Sequence, residues 1–275
     1  TCVITNIGTC HLENLGDRDG VLKAKTEVFD HLKPDATVIL NGDDDKLVTV
    51  KEVQGRRPIY FGLNEEFPLY ADEIESKGLK GIACRIHTPK GTFSVVVPIP
   101  GHHMVYNALA GTAVGLAYGM ELSEIQKGIE SLQSLSGRFH IIENEKYTIV
   151  DDCYNANPMS MKASLGILKD AMGRKVAILG DMGELGENEK ELHREVGTFA
   201  GNCGIDLLIC AGTLAKEIAE AAKESSIQAE KQLKAVSFDT LEELLMHLGE
   251  QVKQGDTILV KASHFMNFGK IVEAL

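Results

Sequence analysis

A short strand, a polar turn and the start of a helix follow one another in Val150-Asp151-Asp152-Cys153-Tyr154-Asn155-Ala156-Asn157-Pro158-Met159-Ser160-Met161. The strand, residues 147–150, ends in two carboxylates, and Pro158 opens an amphipathic helix behind a capping Asn157. Such strand–turn–helix corners are where open α/β folds bind phosphorylated ligands. Two acids, an aromatic ring and two amides so close together predict a ligand site rather than a passive connection.

The rest of the second half repeats this alternation of strands and helices. Apolar patterns predict strands at 147–150, 175–180, 206–210, 234–238 and 257–261, and helices at about 158–171, 188–200, 213–224, 240–253 and 267–274. Regular alternation predicts a parallel sheet with helices on both faces, wound right-handedly. We therefore predict a complete, doubly wound α/β domain of the Rossmann-like kind over residues 141–275.

The first half mixes strands and helices less regularly. The sequence predicts strands at 3–7 and 37–41, helices at about 18–32, 104–118 and 122–132, and three or four short β segments between residues 57 and 98. The helix at 104–118 is almost wholly apolar, which predicts that it is buried. So few helices would leave one face of the sheet bare, and we interpret residues 1–140 as only part of an α/β domain.

The net charge, the apolar runs and the cysteines of the chain argue against several classes of binding partner. A net charge of −12 and a pI near 5.2 argue against nucleic acid, because neutralising phosphates needs clustered Lys and Arg. No apolar run approaches the ~18–20 residues that span a bilayer. The six cysteines are scattered without a CxxC pair, which predicts reduced thiols in the cytoplasm and no zinc site. We expect a cytoplasmic monomer without nucleic-acid or membrane partners.

Two residues of the first half, His11 and Lys25, are considered as site candidates. His11 follows the first predicted strand and lies beside Glu13, and an imidazole next to a carboxylate can ligate a divalent cation. The alternative is a solvated surface histidine. Lys25 borders the apolar stripe of the next helix, and periodicity alone indicates a lysine that extends its stem along the stripe towards water.

Two further residues are candidates for nucleotide contacts. Asn107 lies one turn inside the apolar helix at 104–118, and an amide in a buried stripe needs partners that a purine edge would supply. Neighbouring backbone could satisfy it instead. Arg138 lies at the domain boundary in Ser136-Gly137-Arg138, where it could reach a phosphate. Neither a GxGxxG nor a GxxxxGK[ST] pattern occurs, so neither kind of phosphate-binding loop is predicted.

Taken together, these motifs resemble the Mur ligase superfamily over residues 1–275, in the family's order. The match is best to the member that adds a D-alanyl-D-alanine dipeptide, because of the Tyr154-Asn155-Ala156-Asn157-Pro158 turn and the 180–186 segment. The other motifs that carry the resemblance are residues 5–15, Lys23-Ala24-Lys25, Asn41-Gly42-Asp43-Asp44, residues 101–107, Gly137-Arg138 and residues 259–263.

The resemblance implies an activity and a fold. The fold is the later part of a P-loop-type central ATPase domain, residues 1–140, followed by the Rossmann-like ligase domain, residues 141–275. The activity is ligation of D-Ala-D-Ala to UDP-MurNAc-tripeptide, with ATP and Mg²⁺, in cytoplasmic synthesis of the peptidoglycan precursor. ATP would activate the tripeptide carboxylate as an acyl phosphate, which the dipeptide amine attacks through a tetrahedral intermediate.

Roles for single residues follow from the same resemblance. His11 is implied as a Mg²⁺ ligand, and Lys25 as a lysine carried as a carbamate that bridges metal ions. Asn107 is implied as the adenine contact, and Arg138 and Asp152 as contacts to the phosphate and ribose of ATP. The residues implied near the incoming dipeptide are Tyr154, Asn155 and Asn157.

The sequence departs from the family in two respects. A UDP-binding domain and a Gly-x-x-Gly-Lys-Thr loop precede these motifs in relatives, so we expect the chain as given to lack ligase activity by itself. His264-Phe265-Met266 also stands where relatives often carry an arginine, which argues against a role for that loop in dipeptide binding. Two alternatives stay open: a non-catalytic nucleotide-binding module of this architecture, and the related ligase that adds the third peptide residue.

Overall fold

The computed structural model describes residues 1–9, 12–230 and 232–275. The chain divides into two compact units, Thr1–Gln133 and Ser134–Leu275. The sequence placed the boundary near residue 140, whereas Ser136, Gly137 and Phe139 make hydrogen bonds to Asp151 and Asp152 in the second unit. Arg138 therefore belongs to the second unit.

The first unit is built on one six-stranded sheet whose strands lie in chain order. The first four strands are parallel, and the last two run antiparallel to their neighbours. The strands are β1 (Cys2–Ile4), β2 (Val38–Asn41), β3 (Ile59–Gly62), β4 (Leu69–Ser76), β5 (Ile82–Thr88) and β6 (Gly91–Val97). The helices are α1 (Leu12–Leu15), α2 (Arg18–Thr26), α3 (His103–Ala117) and α4 (Leu122–Glu130), with 3₁₀ segments at Glu27–His31, Leu47–Thr49 and Gly78–Lys80.

Both faces of β2, in the parallel half of this sheet, are covered. Ile39 packs in the cluster that includes residues of α3 and α4, and its neighbour Leu40 packs in the opposite cluster that includes Val21 of α2. Such alternation is the period-two pattern of a strand buried on two sides. The prediction of a bare face was therefore wrong for β2, because α2 and the segment after it cover the second side.

The second unit is the predicted doubly wound domain. Its sheet has the order β11-β10-β9-β12-β8-β7, parallel except for β7. The strands are β7 (His140–Glu143), β8 (Thr148–Asp151), β9 (Arg174–Gly180), β10 (Leu207–Ala211), β11 (Lys234–Phe238) and β12 (Asp256–Lys261). The helices are α5 (Pro158–Lys169), α6 (Glu189–Asn202), α7 (Ala215–Gln228), α8 (Leu241–Gln251) and α9 (Gly269–Ala274), with 3₁₀ segments at Gly186–Asn188 and His264–Met266.

The strand order of the second unit positions its site. The chain passes from β8 to β9, β10 and β11 and then returns, so that β12 lies between β8 and β9. Ligands of open α/β sheets bind outside the carboxyl ends of the strands at such a change of direction. The turns after β8, β9 and β12 meet there, and the first of them is the Asp152–Pro158 segment.

Strand β7 was not predicted. The sequence indicated only a short polar stretch at residues 139–146, but His140–Glu143 pairs antiparallel with β8. The Asn144 side chain accepts hydrogen bonds from the amides of Lys146 and Tyr147, which forms the turn between the two strands. A four-residue strand is too short for its alternation to stand out from the sequence.

In the described part of the chain, no helix has the length and apolar character needed to cross a bilayer.

Candidate functional site

The carboxyl end of β8 holds two acidic side chains with different surroundings. Asp151 is 3% exposed, and its Oδ2 accepts hydrogen bonds from the amide of Gly137 at 2.7 Å and from Ser136 Oγ at 3.2 Å. Its Oδ1 accepts from Cys153 Sγ at 2.9 Å. Burial, and then this hydrogen bond, raises the pKa of the Cys153 thiol to about 12, so the thiol stays protonated near neutral pH. Asp151 thus fixes the Ser136-Gly137 segment and has a structural role.

Asp152 is the second acid, and three elements meet at its carboxylate. Oδ1 accepts from the Phe139 amide at 3.1 Å, and Oδ2 accepts from Ser164 Oγ on α5 at 2.6 Å and from Lys261 Nζ at 2.7 Å. The side chains of Asp152 and Lys261 are 14% and 3% exposed. Because a carboxylate oxygen offers two acceptor positions, Oδ2 is filled and Oδ1 keeps one position for a ligand.

Arg138 and Tyr154 form a cation–π pair at this edge. The Arg138 guanidinium carbon lies 3.9 Å from the centre of the Tyr154 ring, a cation–π geometry. The ring of His264 approaches the same tyrosine at 5.6 Å between centroids. Arg138 is exposed, and it takes part in none of the ion pairs found among residues 1–9, 12–230 and 232–275. An arginine held by a ring and without an acidic partner keeps its N–H donors for an anion such as phosphate.

The two asparagines of the turn differ in what they can offer. Asn157 is the predicted N-cap of α5. Its Oδ1 accepts from the Ser160 amide at 2.9 Å, and the Asn157 amide donates to Ser160 Oγ at 3.1 Å. Its side-chain oxygen is therefore committed to the helix. Asn155 is exposed, its Oδ1 accepts from the Ala156 amide at 2.8 Å, and its backbone carbonyl accepts from Lys261 Nζ at 3.0 Å. Substrate binding by Tyr154, Asn155 and Asn157 stays a prediction.

The loop after β9 is held by contacts that sequence reasoning missed. Asp181 Oδ1 accepts from the amides of Leu214 and Ala215 at the start of α7, at 3.0 and 2.6 Å. The Met182 amide donates to His193 Nε2 at 2.9 Å, and the Gly183 amide donates to Ser263 Oγ at 2.8 Å. These bonds fix the 181–183 backbone at the carboxyl edge.

The hydrogen bond that His193 accepts from the Met182 amide requires a neutral imidazole. It is fully buried, and its Nδ1 lies 2.6 Å from the Glu189 carbonyl oxygen, so Nδ1 carries the proton and Nε2 accepts. Burial lowers the pKa of His193 below its ordinary value, against smaller raising effects of the Glu189 carbonyl and nearby carboxylates. In the sequence, the only indication of this contact was a histidine within the apolar stripe of α6.

In the first unit, the carboxyl edge gathers polar side chains around the loop after β1. Lys25 Nζ donates to the Asn6 carbonyl at 2.9 Å, and Asn41 Nδ2 donates to the Thr5 carbonyl at 3.0 Å. Asp44 Oδ2 accepts from the Ile7 amide at 2.7 Å. The structure thus brings Lys25 to the loop that leads towards His11, and His11 itself lies outside the described residues.

Asn107 lies at the same edge but not where the sequence placed it. Its side chain is exposed, whereas its neighbours Val105 and Ala108 are buried, so the prediction that it lies in a buried stripe was wrong. Tyr106 donates a hydrogen bond from its hydroxyl to Asp43 Oδ2 at 3.1 Å, which anchors the start of α3 beside the end of β2. Burial and the Asp43 charge raise the pKa of Tyr106 to about 12. Asn107 Nδ2 donates to Met104 Sδ at 3.3 Å, which leaves the side-chain oxygen and the second N–H of the amide for a ligand at this edge.

Two domain families match the chain in order. The Mur ligase middle domain matches residues 1–115, and the Mur ligase glutamate ligase domain matches residues 137–264. The two matches fall within the two compact units.

Individual relatives align over nearly the whole chain. The UDP-N-acetylmuramoyl-tripeptide–D-alanyl-D-alanine ligases of Escherichia coli and Bacillus subtilis are 32% and 33% identical over 99% of it. A crystal structure of MurF from Acinetobacter baumannii superposes with a TM-score of 0.84 at 33% identity, over 98% of the chain and 58% of that protein. The MurF ligase of Thermotoga maritima, in complex with ADP, gives 0.81 at 27% identity. The chain spans 58–59% of the length of the two curated relatives.

Proposed function

This chain belongs to the Mur ligase family, and from that membership we propose that it is the middle and C-terminal part of an ATP-dependent ligase that joins D-Ala-D-Ala to UDP-MurNAc-tripeptide. One observation carries the proposal. Relatives named for this reaction align with 99% of the chain, through both units and across the Tyr154–Pro158 turn. The reaction would supply a pentapeptide precursor of the cell wall, and the scattered thiols suit the cytoplasm where such precursors are made.

The chemistry of the proposed reaction explains its need for ATP. A carboxylate does not accept an amine, because an oxide anion is a poor leaving group. Transfer of the γ-phosphoryl group to a carboxylate oxygen gives an acyl phosphate and ADP. The amine nitrogen of the dipeptide then attacks the carbonyl carbon, the C–O bond to phosphate breaks, and the nitrogen loses a proton. The products are an amide and inorganic phosphate.

The second unit supports nucleotide binding through two groups. Arg138 offers an exposed guanidinium without an acidic partner in the described ranges, held over the Tyr154 ring, which suits a phosphate. Asp152 Oδ1 offers one unfilled acceptor position, which suits a ribose hydroxyl. On the first unit, the exposed Asn107 amide is proposed as the contact to adenine, whose edge presents both a donor and an acceptor.

Mg²⁺ fits the described residues only in part. Within the ranges that the structure describes, no three His, Cys, Asp or Glu side chains are grouped to hold a metal ion. Lys25 would supply oxygen ligands only as a carbamate, and His11 lies outside these ranges. A bound Mg²⁺ would offset the negative charge of the phosphates. Lys25 and His11 remain the residues proposed to hold it.

The test is the full-length protein that contains this chain, supplied with ATP, UDP-MurNAc-tripeptide and D-Ala-D-Ala. We expect phosphate release that depends on both substrates, and a product whose mass equals the two joined with loss of water. Phosphate release without the dipeptide, or ligation of a single amino acid to UDP-MurNAc-dipeptide, would contradict the proposal. The second result would favour the ligase that adds the third residue.

A further inference from the structure

Lys261, the last residue of β12, is a buried cation that the proposed reaction does not use directly. Its side chain is 3% exposed, and lysines are almost never so buried unless they are paired. Its Nζ lies 2.7 Å from Asp152 Oδ2, 3.0 Å from the Asn155 carbonyl oxygen and 3.5 Å from the Asp152 carbonyl oxygen. An ammonium has three donors, so Lys261 has none left for a ligand.

The partners of Lys261 are Asp152 and Asn155, which both lie in the segment that follows β8. Through Asp152 the lysine also reaches the segment of Arg138, because Asp152 Oδ1 accepts from the amide of Phe139, the next residue. The turn is joined to the same segment a second time, since the Tyr154 amide donates to the Gly137 carbonyl at 2.9 Å. One ammonium thus fixes the acid, the turn and, through them, the backbone that carries the arginine.

Stability alone does not account for this arrangement. An ion pair withdrawn from water loses much of its Coulomb attraction to desolvation, and apolar residues of similar size often serve stability equally well. The same strand carries a second pair at its other end, where Arg174 donates to Asp256 at 2.8 and 2.9 Å. That pair lies at the amino edge of the sheet, away from the turns after β8, β9 and β12, and provides a matched comparison.

We propose that Lys261 is a positioning residue for nucleotide binding: it holds Asp152, the Asp152–Asn155 turn and thereby Arg138 in place without touching the nucleotide. The inference rests on the proposed function, since it assumes that Asp152 and Arg138 contact ATP. It assigns a role to the Lys-Ala-Ser segment at the end of β12. It also explains why Asp152 Oδ2 is filled while Oδ1 keeps an acceptor position.

The experiment compares Lys261→Met and Arg174→Met in the full-length protein. Each variant removes the cation of one ion pair on β12. We expect Lys261→Met to lower kcat/KM for ATP by about tenfold or more, because small misplacements of binding groups are costly. We expect Arg174→Met to stay within about twofold of the wild type at a comparable loss of melting temperature. Lys261→Met should add little to Asp152→Asn, since both changes disable the same carboxylate.

Three results would overturn the inference: a kcat/KM for ATP within about twofold of the wild type, a loss equal to that of Arg174→Met, or full additivity with Asp152→Asn. If Lys261→Met does not fold, Lys261→Arg gives the same comparison, because the planar guanidinium keeps the charge but cannot repeat the geometry of a compact ammonium.

Hydrogen exchange of the Tyr154 amide separates this inference from the proposed function, because it needs no nucleotide. Faster exchange in the Lys261 variant than in Arg174→Met supports the positioning role. Unchanged exchange overturns that role whatever the activity. A full-length protein that is inactive with both substrates would overturn the proposed function and leave the exchange result standing.

Discussion

Replacing His193 by phenylalanine tests how the loop after β9 is held. The Met182 amide donates to His193 Nε2 inside the second unit, where both residues are fully buried. Phenylalanine fills a similar volume but offers no acceptor, so the Met182 amide would be left buried and unsatisfied. Such a group costs about 1–3 kcal/mol. We expect the free energy of unfolding of the second unit to fall by about 2 kcal/mol at pH 8.

The loss of stability in His193→Phe should depend on pH, and the pKa of His193 gives the direction. Burial lowers the pKa of His193, so the unfolded chain binds the proton more readily than the folded one. The contribution of His193 to stability is full above its unfolded pKa of 6.5 and is lost as the pH falls through the lower folded pKa. The difference between wild type and His193→Phe should therefore be largest above pH 7 and shrink as the pH falls below 6.5.

Native-state hydrogen exchange, read on peptides of the second unit, is the suitable assay, because two units need not unfold in a single step. His247→Phe is the matched control. His247 is half-buried on α8, where it lies beside Glu250 and its ring stacks on Phe238. Phenylalanine keeps that ring contact, so its replacement should change stability by less than about 0.5 kcal/mol. A loss at His193→Phe no larger than that of the control, or a loss independent of pH, would refute the argument from the Met182 amide.

Further predictions concern close packing and capping in the second unit, each measured by thermal or urea denaturation. Gly197→Ala should cost about 1–3 kcal/mol, because a Cβ there would lie 2.3 Å from the Ile218 carbonyl oxygen between α6 and α7. Gly249→Ala meets nothing within 4 Å and should stabilise α8 by about 0.5–1 kcal/mol, and equal effects at the two glycines would contradict the packing argument. Asn157→Ala removes the acceptor of the Ser160 amide and should cost about 1 kcal/mol, whereas Asn157→Asp should cost little.

The alternation of strands and helices in the second half was visible in the sequence and is confirmed. The strand predicted at 175–180 is Arg174–Gly180, and the helix predicted from residue 158 is Pro158–Lys169. Such elements are recognisable because each buries one face or two, which imposes a period of 3.6 or a continuous apolar run. The start of α5 could be predicted from Asn157 and Pro158, because a helix cap depends only on residues within one turn.

Two errors had the same cause. Asn107 was placed in a buried stripe because α3 is apolar almost throughout and has no clear polar side, so burial depended on packing. β7 was missed because its four residues gain their strand conformation from pairing with β8. In both cases the deciding contacts come from residues that are distant in the sequence or on another element.

The sequence by itself determined the family, the elements and the corner at Asp152–Pro158, because local periodicity, capping and motif order are properties of neighbouring residues. Only the tertiary structure decided that β12 lies between β8 and β9. That order brings Lys261 to Asp152 across 109 residues of chain, leaves one acceptor position of Asp152 Oδ1 unfilled and fixes the turn beside Arg138. Strand order depends on the packing of whole helices against the sheet, and no local pattern encodes it.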